Sequence, residues 1–141
     1  MTEGYSLPDK VKMSVSTERE ALERIGRNVE VIGLLYNAGL SNVAMDLAES
    51  LRRFYMSDYE GTIKFARKVV EGMKKLVEEG KVSIASENRL KLLHDYLSKA
   101  YQLISNFGEH SGTYGFMPEA ILSKDIALSA CRYVISYLES L

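Results

Sequence analysis

Apolar residues recur along most of this chain at intervals of three and four, the spacing that lines one side of an α-helix. The first run, Ala21, Leu22, Ile25, Val29, Ile32, Leu35 and Tyr36, predicts a helix from Glu18 to Ala38. Thr17-Glu18-Arg19-Glu20 reads as its capping box, with the threonine oxygen taking an exposed amide while Glu20 reaches back. Gly39 is the expected stop, because glycine takes the left-handed conformation that closes a helix. Val43, Ala44, Leu47, Leu51 and Phe54 predict a second helix, Asn42 to Tyr55, with Ser41 as its cap. Asp58 caps a third, Tyr59 to Glu79, whose inward stripe is Ile63, Ala66, Val69, Val70, Met73, Leu76 and Val77, and Gly80 ends it. Ser86 opens a fourth, carrying Leu90, Leu93, Leu97, Ala100, Tyr101 and Ile104. Pro118 suits the first turn of a fifth. There Ile121, Ile126, Ala127, Ala130, Cys131, Val134, Ile135 and Leu138 form a broad apolar face. No stretch sustains the alternation of a strand. The expected fold is therefore all-α, an antiparallel helical bundle of about five helices with short connections. Residues 1–15, with Pro8 and no sustained period, read as an N-terminal arm, and 16–141 as a single domain.

The pattern breaks most sharply between the fourth and fifth helices. From Leu103 to Phe116 small and polar residues interrupt the stripe, and Gly108, Gly112 and Gly115 permit sharp turns. His110 sits among them beside Asn106, Glu109 and Ser111. A histidine titrates near neutrality and can move protons, so this expected loop is the first candidate for a chemical site. The same ring could instead hydrogen-bond locally and order the turn.

Composition narrows the function classes. The chain has 141 residues, enough for one real core, and a formal net charge of −1. That balance argues against a strongly basic nucleic-acid binder, although a local patch would escape it. The single cysteine, Cys131, falls in an apolar helical run and reads as a small core residue. No apolar run is long enough for a bilayer and the N-terminus shows no signal-peptide pattern, so a cytoplasmic protein without membrane contact is expected.

Other residues carry weaker signals. His94 follows Arg89 by five positions in the fourth helix; both could face the same groove as the loop, or lie on the helix surface. Arg24, Arg27, Arg52, Arg53, Lys64, Arg67 and Lys68 read as solvated helix charge, unless several converge and meet a phosphate chain. Nine tyrosines stand beside no tryptophan; Tyr96, Tyr101, Tyr133 and Tyr137 have helical spacing and suggest core or interface. No HExxH, CxxC, GxGxxG or P-loop pattern occurs, and Glu109 with His110 lacks a third ligand, so no metal or cofactor is expected.

The segment Asp58-Tyr59-Glu60-Gly61-Thr62-Ile63-Lys64-Phe65-Ala66-Arg67-Lys68-Val69-Val70-Glu71 resembles the third-helix pattern of HEPN-type domains, notably the C-terminal domain of abortive-infection proteins. Asn106, Gly108, His110 and Gly112 resemble the Arg-Asn … Gly-x-His-Gly loop of that family. The resemblance extends over about residues 20–140 through short, degenerate motifs. It implies a helical bundle that forms a homodimer, with the loops of two chains meeting at a cleft. It also implies a metal-independent ribonuclease, in which the histidine acts as acid or base on the ribose 2′-hydroxyl and an arginine stabilises charge at phosphorus. On this chain the resemblance makes His110 and Asn106 the catalytic candidates. Ser105, Gly108, Glu109, Ser111, Arg67, Arg89 and His94 are the candidates for substrate contact. Where the family carries its arginine this chain has Ser105, which supplies no cation. Two functions are thus expected in competition. One is an RNA- or nucleotide-binding domain of a defence or toxin-type system, with ribonuclease activity at His110. The other is a non-catalytic interaction module that pairs with a protein such as a nucleotidyltransferase.

Overall fold

A computed structural model describes residues 26–109 and 116–138. The chain divides into two compact units, Met1–Glu30 and Val31–Leu141, so the expected single domain over 16–141 runs across their boundary. In the first unit the described residues 26–30 are helical and Val29, expected to face inward, is 60% exposed.

The second unit is a helical bundle, and its described residues contain no strand. It comprises α1 (31–37), α2 (Ser41–Tyr55), α3 (Tyr59–Glu78), α4 (Glu87–Glu109) and α5 (Met117–Leu138). Helix α3 packs against α2, α4 and α5 and forms the centre of the unit. All seven residues of its expected stripe are buried. Pairs across the helices give their directions. Ser50 meets Thr62 and Val43 meets Gly72, so α2 and α3 are antiparallel. His94 meets Glu78 and Tyr101 meets Lys74, so α3 and α4 are antiparallel.

Three tight reversals build this arrangement. After α1 the Leu40 amide reaches the Leu35 carbonyl (2.9 Å) and the Gly39 amide reaches Tyr36 (3.0 Å), with Gly39 at φ +81°. This is a Schellman closure, and it recurs after α3 with Gly80 in the left-handed position. It recurs a third time after α2, where Ser57 stands at φ +60° and the Asp58 amide donates to Arg53. A side chain in that conformation costs about 1–2 kcal/mol, so the surrounding bonds must hold it. Asp58 supplies them: it ends one reversal and caps α3, accepting from the Gly61 amide at 2.9 Å. Ser41 does not cap α2 as expected. Leu40 takes the cap position, without a side-chain bond, because its amide is committed to closing α1 and the chain enters α2 at once. Ser86 does cap α4, its hydroxyl accepting from the Arg89 amide.

Helix α2 approaches α3 closely at Gly72, where an added Cβ would stand 2.9 Å from Val43 Cγ2. Alanine would favour the helix by about 1 kcal/mol. It would also press on a β-branched side chain with no soft rotamer, at about 1–3 kcal/mol. Gly72→Ala should therefore lower stability by about 1 kcal/mol in urea unfolding. In a Val43→Ala background the same change should be neutral or favourable, and additive losses in the double variant would show that the two positions are not in contact.

The expected polar loop begins later than its composition suggests. Leu103 to Glu109 belong to α4, which buries Ile104 completely and packs Phe107 against the core. His110 and Ser111 lie outside the described residues.

Candidate nucleic-acid interface

The bundle gathers cations around one ring. Phe65 lies on α3, with Lys64 before it and Lys68 one turn later. The two ammonium groups stand 5.7 and 4.9 Å from its centroid, and the Arg53 guanidinium reaches to 5.6 Å from α2. These distances fall within cation–π range. The convergence follows from the Ser57 reversal, which folds the end of α2 back beside the start of α3. The hydroxyl of Ser50 pins the two helices by donating to the Thr62 carbonyl at 2.8 Å inside the core. Thr62 in turn donates to the Asp58 carbonyl at 2.8 Å.

The arginines at this place are already engaged. Arg52 donates from Nε and Nη2 to the two carboxylate oxygens of Glu49, at 2.8 and 2.6 Å, and its Nη1 meets the Met56 sulfur at 3.0 Å. Arg53 bridges Glu49 and Asp58, at 2.8 Å each. The hydrogen bonds from Arg52 and Arg53 pull the Glu49 carboxyl down to about 2, and Arg53 with the Gly61 amide lowers Asp58. Asp46 moves the other way, raised by burial, with the Lys68 charge opposing. Among the described residues Lys64 and Lys68 form no ion pair. The cluster therefore offers two lysines on a rigid base whose arginines hold the scaffold. Beside it Phe54 packs edge-on against Tyr55 and tilts against Tyr59, and Lys124 of α5 sits 4.8 Å over the Phe54 ring.

A pH dependence follows. Glu49 is depressed from its ordinary 4.5, so its ion pairs stabilise the fold fully above that value and are lost as pH falls toward about 2. Asp58 acts with the same sign. Stability measured by chemical denaturation should fall between about pH 4.5 and 2, with a shallower slope in Glu49→Gln. An unchanged slope would mean that the Glu49 pairs do not persist in solution.

The residues singled out from the sequence disperse. Arg89 is exposed on α4 beside α5. His94, five positions on, turns toward α3, where its Nε2 lies 2.8 Å from Glu78 Oε2. That bond lowers the Glu78 carboxyl. The two therefore do not share one groove. Arg67 is half-buried on α3. Ser105 and Asn106 lie within α4; the Ser105 hydroxyl is buried without a hydrogen-bond partner among the described residues, and Asn106 is exposed. The backbone of Gly108 and Glu109 completes the helix. Cys131 is fully buried and its thiol is pushed up to about 12 by burial, so it is a core residue with little thiolate near neutrality. Among the described residues no three of His, Cys, Asp and Glu stand together as metal ligands, and no helix is long and apolar enough to cross a membrane. The sequence reading passed over Phe65. The signal available was a ring with lysines one position before and three after, on a helix whose partner ends in two arginines.

Comparison with protein-family models, with curated proteins and with solved structures gave no match. The site therefore has to be read from its own chemistry.

Proposed function

We propose that the chain is a HEPN-like helical domain that binds RNA or a nucleotide, acting as a homodimer in a defence or toxin-type system. The observation that carries the binding is the set of Arg53, Lys64 and Lys68 around Phe65. Lysines meet phosphates as point charges, and an aromatic face accepts a base of any identity, the combination used on single strands. A net charge of −1 supplies no long-range field, so the binding rests on this local cluster and is modest and salt-sensitive. Cleavage, in this reading, centres on His110 with Asn106 beside it.

The test is incubation of the purified protein with end-labelled single-stranded RNA in EDTA, beside His110→Ala, with anisotropy reporting binding. Cleavage lost in the variant supports the ribonuclease. Binding without cleavage supports an RNA-binding domain, and the absence of both binding and cleavage overturns the proposal. A second reading, the non-catalytic interaction module, draws on α2. There Met45, Glu49 and Arg52 share one face, which the C-cap residue Met56 extends, with both methionines more than half exposed. Methionine-rich surfaces adapt to protein partners. Copurification of a partner that Met45→Glu releases, with no RNA shift, would favour that module.

A further inference from the structure

The first half of α4 and the second half of α5 leave a groove of about 470 Å³ between them. Its walls are Leu92, Leu93 and Tyr96 from α4, and its floor includes Ala130 from α5. Leu92 and Tyr96, one turn apart on the α4 side, are 59% and 45% exposed and leave apolar surface open to the groove. One end is polar. Arg89 stands there, and its guanidinium makes no ion pair among the described residues. Tyr133 lines the same groove from α5, with its hydroxyl 3.3 Å from that of Tyr137 and the two rings 5.1 Å apart. The bond to Tyr137 raises the Tyr133 phenol, with the Arg89 charge opposing. Among the described residues no carboxylate lines the groove.

We infer that this groove binds a small amphipathic anion: an apolar body along Leu92, Leu93 and Tyr96, and a carboxylate held by Arg89 and the Tyr133 hydroxyl. The size selects a small molecule. Its volume is that of an ordinary ligand pocket, and Arg89 to Tyr96 spans roughly 10 Å of helix, too short a bed for a docked helix. The charge selects the anion, because the Arg89 guanidinium offers only donors and positive charge to the head group, and the Tyr133 hydroxyl on the same groove can add a donor. The site lies on α4 and α5, apart from the lysines of α3, and does not depend on RNA binding.

The test uses octanoate against 1-octanol, which share a tail and differ in the head, followed by calorimetry and by protein NMR shifts. Octanoate should bind saturably and roughly tenfold or more tighter than octanol, the size of a charge-assisted hydrogen bond. Arg89→Gln should weaken octanoate to the level of octanol and leave octanol unchanged. Ser129→Phe, which fills the groove from an exposed lining position, should abolish both. Circular dichroism checks that each variant stays helical, and if Ser129→Phe unfolds, the Arg89 comparison decides alone. The proposal is overturned by absent octanoate binding, by equal affinity for acid and alcohol, or by a preference that survives Arg89→Gln. A dimer that Ser129→Phe dissociates would also overturn it, since a second copy then fills the groove.

Discussion

Met73→Ala is expected to reduce the free energy of unfolding by about 2–5 kcal/mol, the range for truncating a fully buried large side chain. Met73 has no exposed surface and lies on α3, the helix against which α2, α4 and α5 all pack. The loss combines the transfer of the removed atoms with the cavity left behind, which the packed neighbouring helices close only in part. Because a domain of this size has about 5–15 kcal/mol in total, the variant should unfold at much lower urea, with an unchanged slope. Met73→Leu nearly conserves volume and should cost below about 1.5 kcal/mol. Met45→Ala, at a position 58% exposed, should stay within about 0.5 kcal/mol. Equal effects at Met45 and Met73 would contradict the central place given to α3.

The second large effect concerns binding. Reversing both lysines, Lys64→Glu with Lys68→Glu, should weaken single-stranded RNA roughly 25-fold or more at 0.1 M monovalent salt. The figure follows from counterion release: two phosphate contacts on a single strand contribute about 1.4 to the slope of log affinity against log salt. The slope should fall by that amount, which a change in fold would not produce. Phe65→Leu keeps an apolar side chain and removes the stacking face, so it should lower affinity at every salt concentration and leave the slope alone. A double reversal that leaves affinity and slope intact would remove the α2–α3 cluster from consideration. Both lysine side chains are carried on the solvent side of a helix whose opposite stripe is buried, so stability should change little.

The end of α4 shows where composition misleads. Ser105, Asn106 and Gly108 are weak helix formers, and each lowers the helix by up to about 1 kcal/mol. Their summed preference favours a loop after Ile104. The helix continues because Ile104 and Phe107 sit three apart and both pack on the core, a gain that exceeds the local loss. Tyr36 shows the converse. It fits the stripe of α1 yet is 48% exposed, while Val31 and Leu35, on the adjoining strip of the same helix, take the core. A period of 3.6 defines a broad face, and the partner helix chooses which edge of it is covered. The tyrosines divide in the same way: Tyr96 and Tyr133 are exposed and Tyr101 and Tyr137 half-buried, although the sequence suggests core or interface positions for all four.

From its sequence alone this protein is all-helical, with α3 as a strongly patterned stripe, Asp58 and Ser86 as caps, and Gly39 and Gly80 as stops. Those features are local: periodicity, a side-chain oxygen near a free amide, and a residue that tolerates positive φ each act within a few positions of the chain. The tertiary structure decided the rest. It brought Arg53 of α2 over Phe65, turned His94 to α3 and Arg89 to α5, and carried α4 through a glycine. Each of those outcomes depends on contacts between residues distant in the chain, and no local spacing encodes which helix a given face will meet.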